Sequence, residues 1–463
     1  MSVIKRSFLY LIGQLGSRFI QVIIIPIYAF YLTTNQVGIY DFQLSLAQFL
    51  SPILFLAIWE GILRFALPAK MGEKKTILGT ALIFSLLVSS ISIFLIPFVY
   101  VYLYPNNPEM SLFGIAFVTT SVVTLMQYVA RSLNKSIIFV KQGVYSAIIN
   151  LFSIGIFVIV VNLEMTGLIF SYIISNVFSI YYIFRKCQLI NLVKTKYYSN
   201  DVLLKLIKYS FPLVFNLILL WLLQGFSRWY LVTFQSTSMS GLFSFAFKFS
   251  AILAALGNVL SLSLIEDAVI TKDDNNFIDK FSKNMNMVFK IFIDLGTILL
   301  PVIGIFYLRI EGTAFFSSWI AVPFLLLGTI FQIMSTNIGN LLNVHTLTKY
   351  LFYSSLVSAC VNVFGCLVLG HFFKLTGVSV SYLLSCLSIL LVRYFLTMKI
   401  EKWSLGFGMI VHHIILYVIV WIACLTLNIY IMLFSILLVS FIHIITYKNE
   451  FKTIRKYIFK KEK

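Results

Sequence analysis

The sequence predicts an all-α integral membrane protein of about fourteen transmembrane helices: two six-helix lobes related by a parallel pseudo-repeat, plus a C-terminal helix pair. Three observations carry this reading. Hydrophobic residues make up 60% of the 463 and charged residues 11%, with a mean hydropathy of +0.97, which excludes a water-soluble globular chain. Apolar runs of about 20 residues recur along the whole chain, each able to cross a hydrocarbon core of ~30 Å at ~1.5 Å per residue. Lys and Arg gather on alternate sides of those runs.

The spans of the first lobe lie near 8–32, 41–66, 77–103, 112–130, 143–162 and 167–184. Those of the second lie near 210–232, 241–265, 287–308, 320–342, 351–371 and 376–397. A last apolar stretch divides at Asn428 into 408–427 and 429–447, because a single helix of that length would be about twice the membrane thickness. The opening MSVIKR and its apolar run imitate a signal peptide, but the run is long, carries Arg18 and lacks an A-x-A site, so it reads as an anchor. The resulting division is 1–185 for the first lobe, 186–209 for a cytoplasmic linker, 210–397 for the second lobe, 398–447 for the extra pair and 448–463 for a basic tail.

With both termini in the cytoplasm, inner loops and tails hold thirty of the 35 Lys and Arg residues. Outer loops hold Arg309 and Lys374, while Arg18, Arg228 and Lys248 lie within spans. The net charge of +19 is thereby explained by topology and by attraction to anionic membrane lipid, with no nucleic acid required. The five cysteines have no metal or redox spacing and four sit in apolar segments as small hydrophobes. Sliding the chain by 203 residues lays Ser7-Phe8 on Ser210-Phe211, and Gly38-Ile39-Tyr40 with Phe42 on Gly241-Leu242-Phe243 with Phe245. Both copies start inside, so the repeat axis runs along the membrane normal.

Polar residues at helical spacing mark the candidate site. Gln14, Arg18 and Gln21 share one face of the first span. Arg18 is about ten residues deep, where a cation costs roughly 2.5–3.5 kcal/mol, which points to a wet cavity or to a structural ion pair. Gln224 and Arg228, Lys248 and Asn258, and Gln332 and Asn340 mark later spans. For the neutral residues, hydrogen bonding between packed helices is the competing account. Arg228 lies near an outer end, as a snorkelling residue would, and Lys248 lies ~10 Å below one. Glu60 and Arg64 are placed to neutralise each other, Asp294 is spaced to pair with Lys290, and the five histidines show no ligand spacing. The unpaired charge inside the spans is therefore positive, and a cavity lined by Arg and Lys suits phosphate.

Gly13 to Arg18, Tyr31-Leu32-Thr33 leading to Val37-Gly38-Ile39-Tyr40, Trp59-Glu60-Gly61 with Arg64-Phe65, and Ser210-Phe211-Pro212 together resemble the bacterial polysaccharide flippases. These export O-antigen or capsule repeat units and belong to the multidrug/oligosaccharidyl-lipid/polysaccharide exporter superfamily. The resemblance implies a V-shaped bundle around a central cavity in the bacterial cytoplasmic (inner) membrane. Its substrate would be an undecaprenyl-diphosphate-linked oligosaccharide, moved between leaflets by alternating access without a cofactor or catalytic residue. Partners implied are a coupling ion (H+ or Na+, with Asp41 and Asp294 as coupling candidates), a polysaccharide polymerase and a chain-length regulator. Many such flippases have twelve spans, and fourteen is similar to the lipid II-type flippases of peptidoglycan synthesis, whose extra pair holds the lipid tail.

The competing class is an enzyme, a membrane glycan polymerase or glycosyltransferase. Outer loops of about ten residues or fewer, with Glu109, Glu164 and Glu311 as their acids, leave little room for such a site. A cationic-drug exporter calls for unpaired acids in the cavity, and no G-x-x-x-x-G-K-[ST] pattern supports direct ATP drive. Reporter fusions or cysteine labelling test the topology. Asn106, Glu164, Ser238 and Lys374 are expected outside, and Lys74, Lys196, Lys280 and Lys456 inside; an inside reading at Ser238 breaks the parallel repeat.

Overall fold

The computed structural model describes residue 20 and residues 22–271, 276–345 and 347–446. Gln14, Arg18, Gln21 and the 448–463 tail lie outside the described residues. Among the described residues all regular structure is helical, as the apolar runs require: in lipid a backbone must satisfy its own hydrogen bonds.

The helices of the first lobe are α1 (Val22–Tyr31), α2 (Thr34–Leu54), α3 (Ile58–Ala66), α4 (Met71–Leu103), α5 (Leu112–Ser132), α6 (Ser136–Ile154) and α7 (Glu164–Cys187). Then come α8 (Asn200–Gln224), α9 (Phe226–Phe234), α10 (Thr237–Thr271), α11 (Phe277–Arg309), α12 (Val322–Val344) and α13 (Thr348–Ile400). The extra pair is α14 (Phe407–Cys424) and α15 (Ile429–Thr446). Ten helices are long and apolar enough to cross a membrane, or eleven if the bent pair α2–α3 is one span. At 53 residues, α13 is far longer than one bilayer crossing needs; it breaks at Lys374, whose φ of 49° and ψ of −121° turn the chain between two of the expected spans. With the short apolar helices at Val22–Tyr31 and Ile429–Phe441, all fourteen expected positions are occupied.

Helix boundaries differ from the expected ones mainly at the start of α8, the end of α10 and the start of α11. α8 begins at Asn200, ten residues before the expected span, because Ser199 caps it by accepting from the Val202 N–H at 3.5 Å and Asp201 sits in its first turn. Likewise α10 runs on to Thr271 and α11 starts at Phe277. These extensions are amphipathic rather than apolar, and hydropathy does not register them.

The second span is broken in mid-course. Pro52 lacks the N–H for the next turn, Leu56 and Ala57 adopt positive φ (51° and 47°), and α3 leaves at 60° to α2. Phe55, Ala57 and Ile58 at the break are wholly buried among Trp59, Leu78, Leu125 and Val129 of the first lobe. Leu206 and Val214 of α8 enter the same core, and Ser210 Oγ accepts from the Gly61 N–H at 3.1 Å. The inner end of the second lobe is thus tied to α3.

Near the N-terminal ends of α2 and α10 the lobes meet. A Cβ added at Gly38 would collide with the Thr237 carbonyl oxygen and lie 2.8 Å from the Gly241 nitrogen. One added at Gly241 would collide with the Thr34 carbonyl oxygen and lie 3.0 Å from the Gly38 nitrogen. The two contacts are reciprocal, and the 203-residue offset relates Thr34 to Thr237 and Gly38 to Gly241, so the repeat axis passes through this crossing. The caps repeat too: Thr33 Oγ1 accepts from the Gln36 N–H at 3.2 Å, and Ser236 Oγ from the Met239 N–H at 3.1 Å. The extra pair packs on the second lobe, where Tyr417 of α14 donates to the Pro323 carbonyl at 2.8 Å and Met432 of α15 fills the space beside Gly304.

Gly38→Ala and Gly241→Ala are expected to be equally harmful, because either methyl strikes backbone rather than a movable side chain. Overpacking of this kind costs about 1–3 kcal/mol, read as a matched fall in thermal unfolding temperature in detergent. A wild-type melting temperature for either variant would contradict the crossing.

Candidate functional site

Charged residues collect where α2 crosses α10. Asp41 stands two turns into α2, about 10 Å from its outer end, and its Oδ2 receives Lys248 Nζ of α10 at 2.8 Å. The pair spans the two lobes and is partly accessible, with 22% of the Lys248 and 14% of the Asp41 side chain exposed. Lys248 Nζ also lies 4.5 Å from the centroid of the Tyr28 ring on α1, a cation–π contact. One turn outward on α10, Ser244 Oγ accepts from Arg228 Nε at 2.9 Å, and Arg228 Nη1 donates to the Gln224 carbonyl at 3.3 Å. The guanidinium lies 5.1 Å from the Phe247 ring centroid and 5.8 Å from that of Phe243. Gly225 separates α8 from α9, and Arg228 stands in the first turn of α9.

This arrangement changes the expected cation set. Lys248 is not an unpaired cation: Asp41 neutralises it, because the crossing brings helix positions of opposite charge face to face. Arg228 has polar partners within the protein, Ser244 and a helix carbonyl. Two cations and one acid leave a surplus of one positive charge among the described residues at the seam. Glu60 is engaged by Tyr128, whose hydroxyl donates to its Oε1 at 2.8 Å, and not by Arg64. Asp294 is buried with His413 Nε2 of α14 at 3.5 Å, so it joins α11 to the extra pair, away from the seam.

The neutral candidates fall elsewhere. Gln224 is exposed and contributes its carbonyl, and Asn258 is exposed on α10 about 15 Å along the helix from Lys248. Asn340 is buried and donates to the Ser261 carbonyl at 3.5 Å, while Gln332 has a buried Oε1 with no hydrogen-bond partner among the described residues. In the first lobe Gln127 donates to Gln142 at 3.1 Å, Gln142 to Ser179 at 2.7 Å, and Asn176 to Thr119 and Thr120 at 3.3 Å. These first-lobe contacts knit α5, α6 and α7 together.

Three residues escaped the sequence reading. Tyr28 and Trp221 flank the seam, the latter donating to the Ser45 carbonyl at 2.8 Å and to Ser45 Oγ at 3.0 Å. Arg393, counted with the inner-side cations, is only 8% exposed. Its Nε donates to Ser354 Oγ at 3.0 Å, Nη1 to the Ser335 carbonyl at 3.0 Å and Nη2 to Ser355 Oγ at 3.4 Å, so it fastens α12 to both arms of α13. The available signal for Arg393 was its position four residues inside a span.

No protein-family model and no curated protein sequence matches the chain. Solved structures do. The lipid II flippase MurJ in an inward closed conformation superposes with a TM-score of 0.73 at 14% identity, over 96% of this chain and 100% of that one. A multidrug resistance MATE family transporter of the MOP superfamily, inward-facing, gives 0.65 at 12% identity over 87% and 95%. A mutant of the Vibrio cholerae MATE transporter VcmN gives 0.54 at 14% identity over 86% and 97%. The chain has the all-α, multi-pass membrane fold that MurJ and the MATE transporters share.

Proposed function

We propose that the protein is a flippase. It turns undecaprenyl-diphosphate-linked oligosaccharide repeat units from the inner to the outer leaflet of the bacterial cytoplasmic membrane, for O-antigen, capsule or another surface polysaccharide. The observation that carries this reading is the surplus of positive charge at a partly accessible seam between two lobes, in a fold shared with transporters. A diphosphate offers several anionic oxygens to Arg228 and Lys248, and Arg18 adds a third cation on the sequence argument. Segments 1–185 and 210–397 act as the moving lobes, parting and closing at the α2–α10 crossing, with 186–209 as their tether and 398–447 as the accessory pair. Both termini are cytoplasmic. Movement is coupled to H+ or Na+ through Asp41 or Asp294, or driven by substrate supply.

A lipid II-type peptidoglycan precursor is the second reading. It is favoured by the match to the whole length of MurJ and by the extra pair α14–α15 packed on α11. Both readings are of a transporter rather than a glycan polymerase or glycosyltransferase.

Surface glycan in a strain lacking its own repeat-unit flippase tests the first reading, and growth of a strain lacking its lipid II flippase tests the second. Membrane levels of each variant must be matched. Arg18→Ala and Arg228→Ala are expected to reduce export about 10- to 100-fold, the worth of one charge-assisted contact of ~1.5–3 kcal/mol, and Arg18→Glu to abolish it. Arg18→Lys retains part of the activity, because it keeps the charge and loses the fork. Normal export from both alanine variants at wild-type levels would overturn the anion-binding seam.

A further inference from the structure

The pairing of Asp41 with Lys248 is more than charge balance. It joins helices of different lobes, at the end where those lobes touch through Gly38 and Gly241. Any outward opening of the seam must pull α2 from α10 and break it. The 203-residue offset puts Ser244 at the position equivalent to Asp41 and Ser45 at the position equivalent to Lys248. The mirror half of the crossing therefore does without an ion pair: Ser45 accepts from Trp221 and Ser244 from Arg228. Helix packing does not require Asp41 and Lys248, and the serine pair shows what the frame tolerates in their place.

We infer that Asp41 is a resident counter-ion for Lys248, exchanged for the diphosphate of the incoming ligand, so that the outer crossing unlocks only when a phosphate-bearing molecule occupies the seam. The inference rests on the flippase reading for the identity of that ligand. The geometry suits an exchange. The pair is partly exposed, so a ligand can reach it, yet it is not fully hydrated, so Lys248 is held to a counter-ion of some kind. Ser244, which holds Arg228, and Lys248 are one turn apart on α10, a spacing of roughly 6 Å that suits two linked phosphates. A monovalent carboxylate fixed to the opposite lobe gives way to a ligand with more charge and more acceptor oxygens. Neutral lipids and unphosphorylated glycans lack the charge to make the exchange. The pair thereby works as a specificity filter as well as a fastening.

The test follows the fastening directly. Thr237 Oγ1 donates to Asn35 Oδ1 across the crossing, so Asn35→Cys with Thr237→Cys reports its closure as a disulfide formed under mild oxidation. Full-length protein in lipid nanodiscs carries Cys360→Ser, which removes the exposed native thiol. Undecaprenyl diphosphate is expected to lower the cross-linked fraction severalfold, and undecaprenol to leave it unchanged. Inorganic pyrophosphate in a separate arm shows whether the charged group suffices without its lipid; release by either form supports the exchange. Asp41→Asn is expected to lower cross-linking without ligand and to remove the response, Asp41→Glu to restore both. The charge swap Asp41→Lys with Lys248→Asp should recover ligand-free cross-linking, which separates loss of the pair from misfolding. Two results overturn the exchange: wild-type-like cross-linking and release in Asp41→Asn, or no release from the parent protein by either diphosphate. That failure leaves the glycan-export assay untouched. Conversely, release by pyrophosphate in a protein that exports neither surface glycan nor lipid II removes the flippase reading alone.

Discussion

Two backbones in contact govern this molecule. Where α2 crosses α10, Gly38 and Gly241 leave no room for even a methyl group, and each presses on a carbonyl of the opposite lobe. Such close approach is available only to glycine, and it brings the flanking residues of both helices within side-chain reach. Asp41 and Lys248 meet because of it, as do Asn35 and Thr237. A side chain in the way would hold the helices apart and leave Lys248 without its acid. The same contact lies on the repeat axis, so each lobe meets the other there through equivalent residues.

Charge inside the spans falls into two kinds. Lys74, buried at the foot of α4, donates to the carbonyls of Leu67 and Ser132, where the C-terminal ends of helices favour a cation. Arg393 is held by two serines and a carbonyl, and Asp294 faces His413. Each of these is sealed within one lobe or between a lobe and the extra pair, and each fixes a helix position. The seam differs. Among the described residues its charges are partly exposed, they bridge the two lobes, and they do not balance. An uneven charge count in a place open to solvent suits a ligand of the missing sign.

Much of this was legible in the sequence. The apolar runs mark every span, since the bilayer imposes a length that a window of about 20 residues detects. The slide of 203 residues exposed the repeat through Gly38 and Gly241, the very residues that touch. What stayed hidden depends on distance along the chain. Asp41 and Lys248 are 207 residues apart, and no local periodicity links them. Treating Lys248 as unpaired followed from examining only neighbours at helical spacing. Spacing reveals a shared polar face but not what the face meets; Gln127, Gln142 and Ser179 meet one another. The early start of α8 was missed for a third reason, that hydropathy reports the bilayer and not the helix.

The repeat is symmetric in its frame and asymmetric in its chemistry. Caps at Thr33 and Ser236 and glycines at Gly38 and Gly241 recur, yet Asp41 answers to Ser244 and Lys248 to Ser45. On one side of the crossing stands Tyr28, on the other Trp221 and Arg228. The break at Leu56 and Ala57 that bends α3 by 60° has no counterpart in α10, which continues unbroken to Thr271. For the proposed flippase, a symmetric frame suits two lobes that move between equivalent end states. A lipid-linked sugar has a charged diphosphate, a bulky glycan and a greasy tail, none of which resembles another. On the proposed flippase reading, a seam that received such a molecule symmetrically could not orient it, and the acid, the two cations and the bend between α2 and α3 make its two sides unlike.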